Sequence, residues 1–386
     1  MSLSKREKRP EKMPNGEKFM AENQGFNGDH TIRASLLFIA FILGIALLYV
    51  IRDIITPFAL AVFIWLIIDA FARWMHRVSL KIPYWLALAV AVLTVVAAFI
   101  GIGFIIANTA SDVAKQAPLY ESRIQEIFDW LGHVTGQENI SFSSLNERFE
   151  LSSKLQAGLA GFAAAIQGVL GDISFIAIYV AFLFAAQSSF PKKMDDLFPD
   201  KSDRTRAAKV GERIRHSIEK YLGVQTIISL MQTVVSYIGM TALGLDNALF
   251  WALVIFILNY IPIVGGLAAV ALPVIFAAVQ FDSVGRIGLL AGILFGAQFI
   301  IGNTIQPKMM GDSMNLSALV VLLSLTLWGA LWGGVGAFLS APLTVIIMIV
   351  LAQFPTTHWI AVLLSADGQP GLDLGDKAQQ NIKPSL

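Results

Sequence analysis

The chain has 386 residues, of which 56% are apolar, 14% charged and 11% aromatic, with a formal net charge of +1 and no cysteine. A soluble domain carries about 25% charged residues, so this composition excludes an ordinary cytosolic enzyme. The near-zero charge supplies no field for nucleic acid, and the missing cysteines exclude disulfides, thiolate metal sites, cysteine nucleophiles and lipidated cysteines.

Crossing a hydrocarbon core about 30 Å thick takes roughly 20 apolar helical residues. In chain order, residues 1–30 are polar, broken by Pro10, Pro14, Gly16, Gly25 and Gly28, and read as a cytoplasmic tail. Three apolar runs follow within 31–107: Ala34 to Ile51, Ile54 to Ile68 and Tyr84 to Ala107. The first is read as a retained anchor, since no small-residue cleavage site follows it. Arg52–Asp53 between the first two runs is read as an interfacial pair. Residues 108–165 are an extramembrane insert on the outer side. Ile124, Ile127, Phe128 and Leu131 recur there at helical spacing, and Ser144 with Glu147 makes a capping-box pattern.

Residues 166–353 are the C-terminal bundle. Its runs are Gly168 to Ala186, Leu222 to Leu245, Leu249 to Phe281, Ile287 to Ile305 and Leu316 to Gln353. Within it, 192–220 is a basic cytoplasmic segment. Its helix over 203–221 sets Val210, Ile214, Ile218 and Tyr221 against Arg204, Arg206, Lys209, Arg213 and Lys220, a pattern expected to lie in the headgroup layer. Residues 354–386 are a polar tail. The expected fold is therefore all-α: a polytopic membrane bundle of about eight transmembrane helices with broken C-terminal helices and an outer amphipathic insert. Lys and Arg concentrate at the start, at 73–81 and at 192–220. These are alternate connections, which puts both termini in the cytoplasm.

Catalysis is poorly supplied. His30, His76, His133, His216 and His358 all lie outside the runs. There is no HExxH and no Gly-Lys-Ser phosphate loop, so no enzyme activity, metal or cofactor is expected. Two places instead interrupt apolar helix. Asn259-Tyr260-Ile261-Pro262-Ile263-Val264-Gly265-Gly266 breaks the sixth run, and Gly302-Asn303-Thr304-Ile305-Gln306-Pro307-Lys308-Met309-Met310-Gly311-Asp312 ends the seventh, one turn after Gln298. Proline removes a backbone donor and clashes with the preceding turn. In hydrocarbon such breaks persist where protein or a wet cavity satisfies the freed groups, and transporters place them at solute sites. The candidate pathway is Asn259, Pro262, Gly265, Gly266, Gln298, Asn303, Thr304, Gln306 and Pro307, with bare carbonyls near Pro262 offered to the solute. Gly333, Gly334 and Gly336 are read as a helix-packing surface.

The segments 259–266 and 302–311, with Leu316 to Leu325 and Trp328-Gly-Ala-Leu-Trp-Gly-Gly-Val-Gly-Ala-Phe-Leu-Ser-Ala-Pro-Leu343, resemble the AI-2E family, typified by autoinducer-2 exporters. The order of runs resembles that family along nearly the whole chain. The resemblance implies a multi-pass protein of the bacterial inner membrane that exports a small polar solute, autoinducer-2 first among them, by secondary transport. The chain departs from many members in having Gly265-Gly266 where Gly-Pro stands, Ile301 where an acidic residue stands, and Ser317-Ala318 in place of His-Pro. Some relatives are linked to sodium(lithium)/proton exchange, an alternative that would use Asp53, Asp69 or Asp172. A non-transporting scaffold that binds a partner through 108–165 is a third reading. Expected partners are the solute, the lipid bilayer and further copies of the chain in an oligomer of unknown order, with no nucleic acid.

Overall fold

The computed structural model describes residues 32, 35, 36, 38–40, 42–78, 82–135, 171, 173–310 and 314–370. The chain divides into two compact units, 1–55 and 56–386. The described residues form helices joined by turns and short connections, with one isolated bridge between Leu316 and Ser365. In chain order the helices are α1 (Phe38–Val50), α2 (Arg52–Val78), α3 (Tyr84–Thr135), α4 (Ile173–Gln187) and α5 (Phe190–Leu197). Then come α6 (Lys201–Ala242), α7 (Ala248–Leu258), α8 (Val264–Gln280) and α9 (Val284–Ile300), a π-helical turn at Ile301–Ile305, α10 (Gln306–Met310), α11 (Ala318–Leu351) and α12 (His358–Leu364).

Among the described residues five helices are, by length and composition alone, long and apolar enough to cross a membrane: α2, Tyr84–Thr109 within α3, Lys201–Leu243, Val284–Met310 and α11. A sixth crossing results if α4 and α5, bent by 65° at their junction, count as one. The expected eight runs therefore do not become eight straight rods, and the sixth and eighth depart for a visible reason.

The sixth run folds back on itself. At 1.5 Å per residue, α7 with 11 residues and α8 with 17 fall short of a 30 Å crossing. Gln280 at the end of α8 donates to the Gly244 carbonyl at 2.9 Å and accepts from the Asp246 amide at 2.8 Å. The hairpin thus enters and leaves at one level. Its limbs pack through Ala252, Ile255, Ala269 and Ala277 against Met240 of α6 and Leu290 and Leu294 of α9.

The eighth run does the same. Trp328 Nε1 donates to Thr344 Oγ1 at 3.3 Å, although a straight helix would separate positions so far apart by about 24 Å. The reversal is at Gly333, with φ 63° and ψ −142°, a conformation open essentially to glycine alone. Gly333 is thus a turn rather than the packing residue expected. Gly336 is the close-approach position, since a Cβ there would lie 1.9 Å from the Trp328 carbonyl oxygen. The start of the run is met by the chain leaving α12, where Ser317 N donates to Leu364 O at 3.1 Å and Ala366 N to Asn315 O at 2.9 Å.

The basic helix expected over 203–221 is the first half of α6 and runs without a break into the fifth apolar run. Asp200 caps it by accepting from the Ser202 amide at 2.6 Å. The later part of its apolar stripe packs on protein: Ile218, Tyr221 and Leu222 are buried with Phe63 and Leu66 of α2 and Leu339 and Ala341 of α11. Helix α3 continues through the start of the expected outer insert as far as Thr135, and the Ser144 and Glu147 pattern lies outside the described residues. Arg52 and Asp53 form an exposed ion pair at 3.6 Å.

Candidate functional site

The turn joining α7 to α8 is tightly wound. The Ile261 amide donates to Leu258 O at 2.8 Å, and the Gly265 amide to Ile261 O at 3.0 Å. The Val264 amide donates to Pro262 O at 2.6 Å, closing a γ-turn about Ile263, whose φ is 63° and ψ −62°. A β-branched residue held there costs on the order of 1–3 kcal/mol, so the surrounding turn must over-determine it. Gly265 is required by contact: a Cβ would sit 1.8 Å from the Leu258 carbonyl oxygen.

Opposite this turn, α9 passes into the π-helical segment, a form that recurs at functional sites. Gln298 bridges the two breaks, because a Cβ added to Gly266 would lie 2.5 Å, and one added to Gly302 3.3 Å, from its Nε2. Both glycines leave room for that amide.

Helix α6 supplies a third wall. Gln225, Ser229, Gln232 and Ser236 are all buried. Their spacing of four, three and four residues puts them on one helical face. Gln225 Nε2 donates to the Asn259 carbonyl at 2.6 Å, and Gln225 Oε1 accepts from Gln306 Nε2 at 3.4 Å. Tyr260 OH and Thr226 Oγ1 are 2.7 Å apart, and the Tyr260 ring stacks on Phe338 with centroids 4.9 Å apart.

Together these walls enclose a cavity of about 560 Å3, a volume usual for small-molecule sites. Of the nine pathway residues expected from sequence, Asn259, Pro262, Gly266, Gln298, Asn303 and Gln306 line it. Gly265 is buried behind the turn, while Thr304 and Pro307 are exposed and do not line the cavity. Sequence reasoning missed Tyr221, Gln225, Gln232 and Tyr260. The polar stripe inside an otherwise apolar helix was the signal that marks the two glutamines.

None of the described lining residues is charged. The expectation of bare carbonyls changes here: those of Asn259, Ile261 and Pro262 each accept a hydrogen bond. Among the lining residues the buried side-chain atoms left without a partner are amide atoms, Asn259 Nδ2, Gln232 Oε1 and Gln298 Oε1. Gln232 is oriented by donation from its Nε2 to Ser236 Oγ at 3.4 Å. Buried orphaned polar atoms are costly, and a polar cavity lets a bound molecule or water satisfy them.

Buried charge gathers elsewhere. Asp69, with its side chain 1% exposed, accepts from Arg73 of its own helix and from Arg215 of α6 at 2.6 Å. The Tyr84 hydroxyl of α3 donates to its other oxygen at 2.5 Å. Glu219 accepts from Arg73 at 2.5 Å and Arg215 at 2.7 Å. Two anions and two cations thus join α2 to α6. Asp69 does not line the cavity, Asp53 is exposed, and Asp172 lies outside the described residues. Among the described residues no cluster of three or more His, Asp or Glu is able to hold a metal.

The family model described as AI-2E family transporter matches residues 36–356. The chain belongs to the AI-2E transporter family. It is 29% identical over 336 residues to the "Putative transport protein" of Haemophilus influenzae, covering 84% of this chain and 95% of the relative. It is 29% identical over 315 residues to the AI-2 transport protein TqsA of Escherichia coli K12, covering 81% and 90% respectively. A sodium-lithium/proton antiporter of Halobacillus andaensis is 29% identical over 201 residues, covering 51% of this chain and 55% of that one. The family and the apolar helices make this a multi-pass membrane transport protein.

Proposed function

We propose that this family member exports a small, neutral, polar solute, autoinducer-2 first among candidates, by secondary transport through the cavity between the two helix breaks. The observation that carries the reading is the lining: amides from α6, the α7–α8 turn, α9 and the π-turn, uncharged, with three buried atoms unpartnered. A hydroxylated solute exchanges hydrogen bonds with water for hydrogen bonds with those amides at little net cost. The match to TqsA across most of both chains supports the same substrate. The pathway is Asn259, Gln298, Asn303 and Gln306, joined by Gln225 and Gln232.

Cation/proton antiport, the activity in the name of the Halobacillus relative, needs a carboxylate free to take and release cations. Asp69 Oδ2 is held by two guanidinium groups, which favours the solute reading. The export of a bacterial signal places the protein in the inner membrane, with the basic end of α6 on the cytoplasmic side.

The test is purified protein in liposomes, assayed for autoinducer-2 flux and, in separate vesicles, for sodium- or lithium-driven pH change. Autoinducer-2 flux that falls at least tenfold in Asn259→Ala/Gln298→Ala is expected. Cation-driven pH change without solute flux would replace this reading with antiport.

A further inference from the structure

We propose that Leu364–Pro370 is a strap closing the mouth of this cavity on the side of the basic end of α6, and that its release opens the cavity to that side. The inference rests on reading the cavity as the solute's path. Asn315, Leu316 and Ala366 line the cavity at the place where the strap docks. The main chain of the strap is held by a bridge between Leu316 and Ser365, by Ser317 N on Leu364 O at 3.1 Å and by Ala366 N on Asn315 O at 2.9 Å.

One side chain fastens the far end. Asn315 Nδ2 donates to Asp367 Oδ1 at 2.8 Å and to Gln369 O at 3.1 Å. Asn315 itself takes φ 44°, a conformation asparagine tolerates better than most residues. Arg213 of α6 donates to Pro370 O at 3.4 Å.

Between buried Ser365 and buried Pro370, the strap is held by hydrogen bonding: residues 366–369 are exposed, and Gly368 reverses the chain at φ 74°. Segments with few buried apolar contacts and solvent-exposed hydrogen bonds open at the lowest free energies in a fold. The α7–α8 turn and the π-turn, by contrast, are walled by α6 and α9. The strap is therefore the wall of the cavity that opens most readily. Asn315 faces both ways: it lines the cavity and fastens the strap, so a solute that draws its amide away from Asp367 loosens the closure.

The experiment has two arms, both helped by a chain that holds no cysteine. In the first, Ile228→Cys, deep in the cavity, is labelled by a charged thiol reagent added to the face bearing the basic end of α6, with and without Asp367→Ala. Asp367 does not line the cavity. Labelling several-fold faster with Asp367→Ala is expected, and an unchanged rate overturns the strap. In the second arm, Leu316→Cys/Ser365→Cys is oxidised, bridge partners being close enough for a disulfide, and flux is compared before and after reduction. Flux that is blocked when oxidised and restored by reductant is expected. Equal flux in both forms overturns the strap. Unsubstituted protein that moves no autoinducer-2 in the same liposomes counts against the transport reading instead, while the labelling arm still decides the strap.

Discussion

Gln225 of α6 donates its side-chain amide to the main-chain carbonyl of Asn259 at 2.6 Å and, through its oxygen, accepts from Gln306 at 3.4 Å. That carbonyl would be bonded within the helix had Pro262 and the γ-turn not ended it. A neighbouring helix restores the lost bond, as the low-dielectric surroundings demand. The same side chain reaches the second break, so two interruptions far apart in sequence share one anchor.

Replacing Gln225 by leucine keeps the volume and deletes both bonds. The stranded Asn259 carbonyl costs about 1–3 kcal/mol, and the α7–α8 turn loses its register against the π-turn. Autoinducer-2 flux in liposomes should fall at least tenfold, with a smaller loss of thermal stability in detergent. Gln225→Glu keeps the acceptor for Gln306 and loses the donor to Asn259, so its flux should be reduced as well. Wild-type flux in Gln225→Leu would remove this side chain from the pathway.

The helical class was legible because apolar runs this long admit little else. The positions of the breaks were legible because proline and paired glycines interrupt helices for local steric reasons. What the breaks become was not. Pro262 announces that α7 ends, but the return of α8 alongside it depends on Gln280 meeting Gly244 and Asp246, contacts with no local signature. Gly333 looked like a packing residue because its neighbours are glycines too. Only its positive φ and the Trp328–Thr344 bond reveal a reversal. Gln225 and Gln232 sit inside an apolar run and are seen as lining once α6 is packed against the turn.

The two folded runs make a topological prediction. Asn247 and Ser283 flank the α7–α8 hairpin and should be labelled from one side of the membrane. Asn315 and Thr357 flank the α11 hairpin and should be labelled from the other side, because α9 with its π-turn and α10 crosses between them. Single-cysteine variants with a membrane-impermeant reagent check this in intact and inverted vesicles. Labelling of Asn247→Cys and Ser283→Cys from opposite sides would mean that the sixth run is an ordinary crossing.

The two hairpins also make paired glycine predictions. A methyl group at Gly265 meets the Leu258 carbonyl at 1.8 Å and one at Gly336 meets the Trp328 carbonyl at 1.9 Å, both backbone atoms that cannot swing aside. Gly265→Ala and Gly336→Ala should each destabilise by roughly 2–3 kcal/mol, the upper part of the range for overpacked sites. Gly296→Ala meets nothing within 4 Å, and Gly329→Ala meets only the Ala337 methyl at 3.9 Å. In exposed or half-exposed helix these should be neutral or slightly stabilising. Thermal melting of the four purified variants in one detergent separates the pairs.

The ionic cluster between α2 and α6 carries the last prediction. Asp69 is buried and engaged by Arg73, Arg215 and Tyr84, and Glu219 is shared by the same two arginines. Removing one member of a buried set leaves an uncompensated charge, and breaking such a pair typically costs 3–5 kcal/mol. The arginine side chains are 23% and 32% exposed, so water relieves part of that penalty and Asp69→Asn should cost about 2–3 kcal/mol. Because both carboxylates hold the same cations, Asp69→Asn and Glu219→Gln should not add, and the double variant should depart from the sum by more than about 0.5 kcal/mol. If Asp69 is a clasp, flux per folded molecule survives while the melting temperature falls. If it is the exchange site of an antiporter, Asp69→Asn melts normally and abolishes cation-driven pH change. Melting and flux measured on the same preparation therefore assign the cluster to structure or to coupling.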